Sequence, residues 1–170
     1  MKEKDIFVGG LYIVSDAYFS KYSTGKLVDN KKTARPNYFA MRDNDGIYWM
    51  IPLSTQEANY RQKLEEWQKK HPRGECVFYD FADIMGKTRV FLIGNAFPVS
   101  EDYILRPYLF NGQPYQMQYT QAIKRIRSKL FKYIDLVKRK AIKPNEDILD
   151  IKRRVLMEQQ KPTDLNDKEG

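Results

Sequence analysis

Ser54 and Thr55 stand side by side at the end of an apolar run, residues 47–53, that closes on Pro52 and Leu53. Two adjacent hydroxyls can hold a phosphate or pass a proton. They can also do no more than start a helix, and Thr55 is well placed to cap one over residues 56–70. The readings are compatible, because a helix N-terminus preceded by hydroxyls is itself an anion site. Arg35 supplies a fixed positive charge. It precedes Pro36, which biases it towards extended backbone, and it opens a strand that turns back through Asp45 and Gly46 into the hydroxyl-bearing run. Arg35 and the pair therefore fall at the outer ends of one hairpin, whose antiparallel neighbours lie within about 6 Å at Cα.

Other chemistries find less support. His71 is alone beside Pro72, and Cys76 is alone, so there is no transition-metal signature and no disulfide framework. Asp80 and Asp83 could hold magnesium, but their spacing is not diagnostic. The stretch GKTR at residues 86–89 lacks the first glycine of a phosphate loop and falls in an expected hairpin turn. G-x-S-x-G is absent, which argues against a serine hydrolase. What remains is Arg, Lys, Tyr, Ser and Thr near a hairpin. One reaction suits that set, because RNA carries its own nucleophile. Attack of the 2′-OH on the adjacent phosphate needs a base, an acid for the leaving 5′-oxygen, and positive charge for the phosphorane. Fixed donors aimed at that charge are usually the largest catalytic term.

The elements that must position these groups follow from pattern. Residues 11–14 read as a strand that passes into a short helical turn capped by Ser15 or Asp16. The hairpin of residues 37–53 comes next, then a helix over 56–70 with Tyr60, Leu64 and Trp67 on one face. Two more strands flank the turn at residues 85–87. Residues 106–114 read as a loop. A long amphipathic helix spans 115–141, with Ala122, Ile123, Ile126, Leu130, Tyr133, Ile134 and Val137 as its apolar stripe. Its other face carries Lys124, Arg125, Arg127, Lys129, Lys132, Lys138, Arg139 and Lys140. A last helix runs to residue 160, capped by Asn145, and residues 161–170 read as a disordered tail. The pattern is α+β: a small, mostly antiparallel sheet or barrel with helices packed at its edge. At 170 residues it predicts a single domain over 1–160.

Composition bounds the partners. The net charge is +8, from 30 basic and 22 acidic residues, and 12 residues are Tyr. Such a balance points to a polyanion: RNA, DNA or an acidic membrane surface. No apolar run approaches the ~20 residues needed to span a bilayer, and the start lacks a signal-peptide core. With a single cysteine, these features predict a cytoplasmic protein.

The order "LYIVSDAYFSKY … RPNYFAMRDNDGIYWMIPLST", residues 11–22 and 35–55, resembles the toxins of type III toxin–antitoxin systems, the ToxN/AbiQ group with its TenpN and CptN relatives. The likeness covers roughly residues 11–140 and is strongest at residues 52–55. "FLIGNAFPV" followed by a long helix also looks like that family. The resemblance implies a compact SH3-like barrel related to the MazF, Kid and PemK toxins. It implies endoribonuclease activity without metal or other cofactor, leaving 2′,3′-cyclic phosphate and 5′-hydroxyl ends. It implies neutralisation by a small repeated RNA that folds as a pseudoknot, closure of toxin and RNA into cyclic assemblies, and a role in abortive infection of phage or in plasmid maintenance.

Carried over by residue, Ser54 and Thr55 fall on the family's hydroxyl pair, with Thr55 the catalytic one. Tyr18 falls on the tyrosine of the N-terminal turn. Arg35 falls where relatives have a catalytic lysine. Arginine keeps the charge but does not readily trade a proton, so a carrier is sought among Lys32, Lys31 and Tyr18. Glu57 stands where relatives often place a lysine. The resemblance also implies an RNA-binding surface made of Lys31 with Lys124, Arg125, Arg127, Lys129, Lys132, Lys138 and Arg139; a solvated outer face is the plainer reading of that helix. Two other functions share the charge and the aromatics: a non-catalytic RNA- or DNA-binding small barrel, and a MazF-like toxin neutralised by a protein.

Overall fold

Turn chemistry places the central hairpin. In the computed structural model, which describes residues 5–25 and 35–161, β1 (Leu11–Val14) leads into α1 (Asp16–Tyr22), where Ser15 caps by accepting the Ala17 N–H. β2 (Asn37–Arg42) and β3 (Tyr48–Ser54) form the expected hairpin. Its turn differs from the expected pair of left-handed residues. Only Gly46 has positive φ, at 78°, and Asp43 organises the loop by accepting the N–H groups of Asp45 and Ile47 and the indole N–H of Trp49.

β3 is the hub. One edge pairs with β2. The other divides, residues 48–50 pairing with β6 (Phe97–Val99) and residues 53–54 with β5 (Lys87–Leu92). β4 (Tyr79–Ile84) extends the sheet beyond β5, and β7 (Ile104–Pro107) extends it beyond β1. Every pairing is antiparallel. The α+β class therefore holds, but the expected barrel does not close. The path ends at β4 and β7, and no pairing joins them among the described residues. Two local features account for this. A 3-10 turn at Ile93–Asn95 breaks what read as one long strand, so β3 shares its edge between two short strands. Beyond β7 the chain folds into its own hairpin, β8 (Leu109–Phe110) and β9 (Gln113–Pro114), around left-handed Asn111 and Gly112.

The faces of the sheet follow from register, because antiparallel partners point the same way and neighbours along a strand alternate. Asn37 pairs with Pro52, and Tyr12 with Asn37, so Tyr12, Asn37, Pro52 and Ser54 share a face. Phe97 is on it too, as partner of Met50, and Tyr18 and Phe19 of α1 pack against Phe97. α2 (Glu57–Lys70) covers the same face further along, Tyr60 against Tyr79 and Arg61 over Phe81. The opposite face carries Tyr38, Leu53, Phe91 and Asp80, and α3 (Thr120–Lys138) lies there. Its buried stripe is Ala122, Ile126, Leu130, Tyr133, Ile134 and Val137. Each larger member contributes roughly 1.5–3 kcal/mol by burial.

α3 starts five residues later than its periodicity predicts. Residues 116 and 117 are held extended instead, Gln116 bridging Gly10 and Met117 donating its N–H to the Gly9 carbonyl at 2.9 Å. α4 (Ile148–Gln160) is capped by Asp147, which accepts the Asp150 N–H, and not by Asn145. One buried cluster runs from Leu11 to Val155. Of the expected tail, all but Lys161 lies outside the described residues.

Candidate functional site

Extending the β2–β3 register by two residues sets Arg35 across from Ser54. The structure bears out that neighbourhood: Arg35 Nη1 donates to the Leu53 carbonyl at 3.4 Å. Asn37 anchors the backbone there, its Nδ2 donating to the Arg35 carbonyl at 3.3 Å. Asn37 is 1% exposed, and its Oδ1 accepts no hydrogen bond among the described residues. Sequence reasoning passed over this residue as an ordinary strand position. A polar side chain inside an otherwise apolar strand, next to Pro36 and Arg35, was the signal.

The two hydroxyls have different surroundings. Ser54 is half-buried, and its Oγ accepts the Gln56 N–H at 3.1 Å. Thr55 is exposed, and its hydroxyl has no partner among the described residues. The capping expectation thus passes from Thr55 to Ser54, and the Ncap position itself, Gln56, makes no side-chain cap. Thr55 Oγ1 is left open to solvent at the N-terminus of a 14-residue helix, where unpaired N–H groups favour an anion. Glu57, the first residue of α2, pairs with Arg61 at 2.9 Å, and that guanidinium lies over the Phe81 ring.

Tyr18 is not brought to this cluster. Its ring is fully buried, and its phenol donates to the Pro98 carbonyl at 2.6 Å. Pro98 pairs with Trp49, five residues along β3 from Ser54, or about 16 Å at strand rise. Burial, followed by the neighbouring Tyr22 and Glu146, pushes the Tyr18 phenol well above its usual range. Its place is in the core, fastening α1 to β6. Lys31 and Lys32 lie outside the described residues.

The basic face of α3 sorts into two groups. Arg125 and Lys129 both reach the buried carboxylate of Asp80, at 2.8 and 3.5 Å. Lys132 pairs with Glu75 at 2.7 Å and Arg139 with Asp135 at 2.8 Å. Lys124, Arg127 and Lys138 are exposed and have no ion-pair partner among the described residues. Asp80, considered above for magnesium, is an anchor for α3. All of these cations lie on the opposite side of the sheet from Ser54. Among the described residues no three His, Cys, Asp or Glu side chains gather as they would around a metal ion, and no helix is long and apolar enough to cross a membrane.

No protein-family model matches the chain, and no curated protein matches it in sequence. Solved structures match its fold. One, described as "A processed non-coding RNA regulates a bacterial antiviral system", superposes with a TM-score of 0.60 at 11% identity, over 85% of this chain and 96% of its own. Another, described as "New insights into the mechanism of bacterial Type III toxin-antitoxin systems: selective toxin inhibition by a non-coding RNA pseudoknot", gives a TM-score of 0.60 at 15% identity, over 89% of this chain and 98% of its own. At such identities the likeness is one of fold, and it runs nearly end to end.

Proposed function

We propose that this chain is the toxin of a type III toxin–antitoxin system: a metal-independent endoribonuclease, held inactive by a repeated pseudoknot RNA and acting in the cytoplasm against phage or in plasmid maintenance. The observation that carries the proposal is the hydrogen bond from Arg35 to the Leu53 carbonyl, beside the Ser54 and Thr55 pair, on a fold shared with one structure described as a type III toxin–antitoxin system and another described as an antiviral system regulated by a non-coding RNA.

The chemistry is a transesterification. The RNA 2′-oxygen forms a bond to phosphorus, the bond from phosphorus to the 5′-oxygen breaks, and the products are a 2′,3′-cyclic phosphate and a 5′-hydroxyl. One proton leaves the 2′-OH and one reaches the 5′-oxygen, so no water is consumed. Arg35 stays charged throughout and stabilises the phosphorane oxygens. Thr55 donates its free hydroxyl to one of them, and the first turn of α2 supplies further partial positive charge. Asn37 fixes the backbone that carries Arg35. Lys32 is the proposed proton carrier, since Tyr18 is enclosed in the core. The exposed cations Lys124, Arg127 and Lys138 hold RNA backbone, and toxin and antitoxin close into a cyclic assembly.

The test is an RNA digest in excess EDTA by the purified chain, beside Thr55→Ala and Arg35→Ala. Cutting by the wild type and loss of cutting in both variants are expected. Intact RNA that is still bound by all three proteins would leave a binding module and end the nuclease reading.

A further inference from the structure

A cavity of about 340 Å³ opens beside β1, between the segment leading into that strand, the end of β7 and β9. Its walls are flat: Phe7, Tyr12, Pro107 and Tyr115. Phe7 is 55% exposed, so its ring is open to a partner. The polar groups at the rim are Asp5 and Gln116, and no Lys or Arg lines the cavity among the described residues. The Asp5 carboxylate has no hydrogen-bond or ion-pair partner there. It does act on the cavity wall: burial raises the Tyr12 phenol, and Asp5 adds to that rise against the hydrogen bond from the Phe7 N–H at 2.7 Å.

This chemistry excludes a phosphate. In a chain of net charge +8, a carboxylate with no partner among the described residues, at an aromatic slot, repels the RNA backbone and attracts hydrogen-bond donors. Unstacked RNA bases are recognised by stacking on aromatic side chains and by hydrogen bonds along their edges. Guanine presents two adjacent donors, N1–H and N2–H, to the two oxygens of one carboxylate. Adenine and cytosine offer an amino group beside an acceptor, and uracil a single N–H between two carbonyls. One wall is on the side of the site: Tyr12 pairs with Asn37, which pairs with Pro52, so Tyr12 lies two strands from Ser54 on the same sheet face.

We infer that this cavity is a guanine-binding subsite, in which Phe7 stacks on the base and Asp5 reads its Watson–Crick edge, so that a guanosine near the scissile phosphate sets the cleavage preference. The inference rests on the nuclease reading for its consequence but not for its binding.

The experiment titrates guanosine, adenosine, cytidine and uridine into the full Thr55→Ala chain, followed by amide NMR shifts, and repeats the titration with Asp5→Asn and Phe7→Ala added. Guanosine should shift the Gly10 and Gln116 amides and bind about tenfold more tightly than the others. Asp5→Asn should erase that preference, and Phe7→Ala should weaken all four alike. Both side chains are exposed, so an unchanged melting curve certifies the fold. Equal binding of the four nucleosides, shifts that map elsewhere, or a preference that survives Asp5→Asn would overturn the subsite. A parallel RNA digest separates the two claims. Guanosine binding without cutting leaves the subsite standing and removes the nuclease; cutting whose base preference is indifferent to Asp5→Asn does the reverse.

Discussion

Thr55 and Tyr18 show how differently two hydroxyl-bearing residues singled out by one motif can be used. Thr55 has an exposed hydroxyl with no partner among the described residues, so Thr55→Ala should change stability by less than about 0.5 kcal/mol. RNA cutting in a gel assay should fall on the order of 10²–10³-fold, as for other removed transition-state donors. Tyr18 has the opposite profile. Tyr18→Phe deletes a buried hydrogen bond to the Pro98 carbonyl. It should cost about 1 kcal/mol, seen as a thermal midpoint lower by roughly 2–4 °C, while the cutting rate per folded molecule stays put. A rate loss in Tyr18→Phe with an unchanged midpoint would return the residue to the site. The sequence could suggest both tyrosine and threonine by motif order, but burial comes from what packs on top. Phe19 and Tyr22 pack on Tyr18 from its own helix, but the rings that close over it arrive from residues 97 and 103, some eighty positions away.

At the scale of elements, local signals were readable and long-range ones were not. The Asp43 to Gly46 turn, α2 and the apolar stripe of α3 follow from spacing and turn residues. The end of β7 and all of β8 and β9 fall in the stretch 106–114 that reads as a loop, because such short strands carry no periodicity. The Asn111 and Gly112 pair was the available hairpin signal. Nor does spacing reveal that Arg125 and Lys129 share Asp80, 45 and 49 positions away. That sharing divides α3 into anchoring and free cations. Lys129→Met should therefore destabilise the fold by about 1–3 kcal/mol in denaturant titration, by stripping a partner from a buried carboxylate. Lys124→Met should leave stability alone and lower the salt slope of RNA binding by about one.

α4 is fastened by a different cluster. Glu158 accepts hydrogen bonds from Tyr22 and Tyr103 and pairs with Lys21 at 2.8 Å. Burial alone would raise its pKa, but those partners outweigh it and hold it at about 2, below the ordinary 4.5. A depressed carboxylate stabilises the fold above its unfolded pKa and loses that contribution as pH falls through the folded one. The chain should accordingly lose stability from about pH 4.5 down to 2, with α4 loosening. Glu158→Gln should flatten that part of the acid denaturation curve; an unchanged curve would mean that the cluster does not fasten α4.

Over the whole molecule, the open sheet separates two surfaces. Arg35, Ser54 and Tyr12 share one face; α3, with its cations that have no ion-pair partner among the described residues, covers the other. An RNA that uses both must pass round an edge, which suits a folded RNA better than a short strand. The arrangement predicts that Lys124, Arg127 and Lys138 contribute more to holding a structured RNA inhibitor than to cutting a short substrate, a difference readable by comparing inhibitor affinity with cutting rate in the triple Met variant. The overall class was legible because apolar runs and turns alternate through the first hundred residues. Closure was not, because it depends on which edges find partners, and no single strand encodes that.

The central claim is that the RNA's own 2′-oxygen is the nucleophile, at a site formed by Arg35 and Thr55. The most direct measurement uses an RNA in which the nucleotide on the 5′ side of the mapped cut is replaced by its 2′-deoxy form. The account predicts that this RNA resists the enzyme completely while the unmodified one yields a 2′,3′-cyclic phosphate. Cutting of the deoxy-substituted RNA at the same bond would contradict it, since the nucleophile would then have to come from water or from the protein.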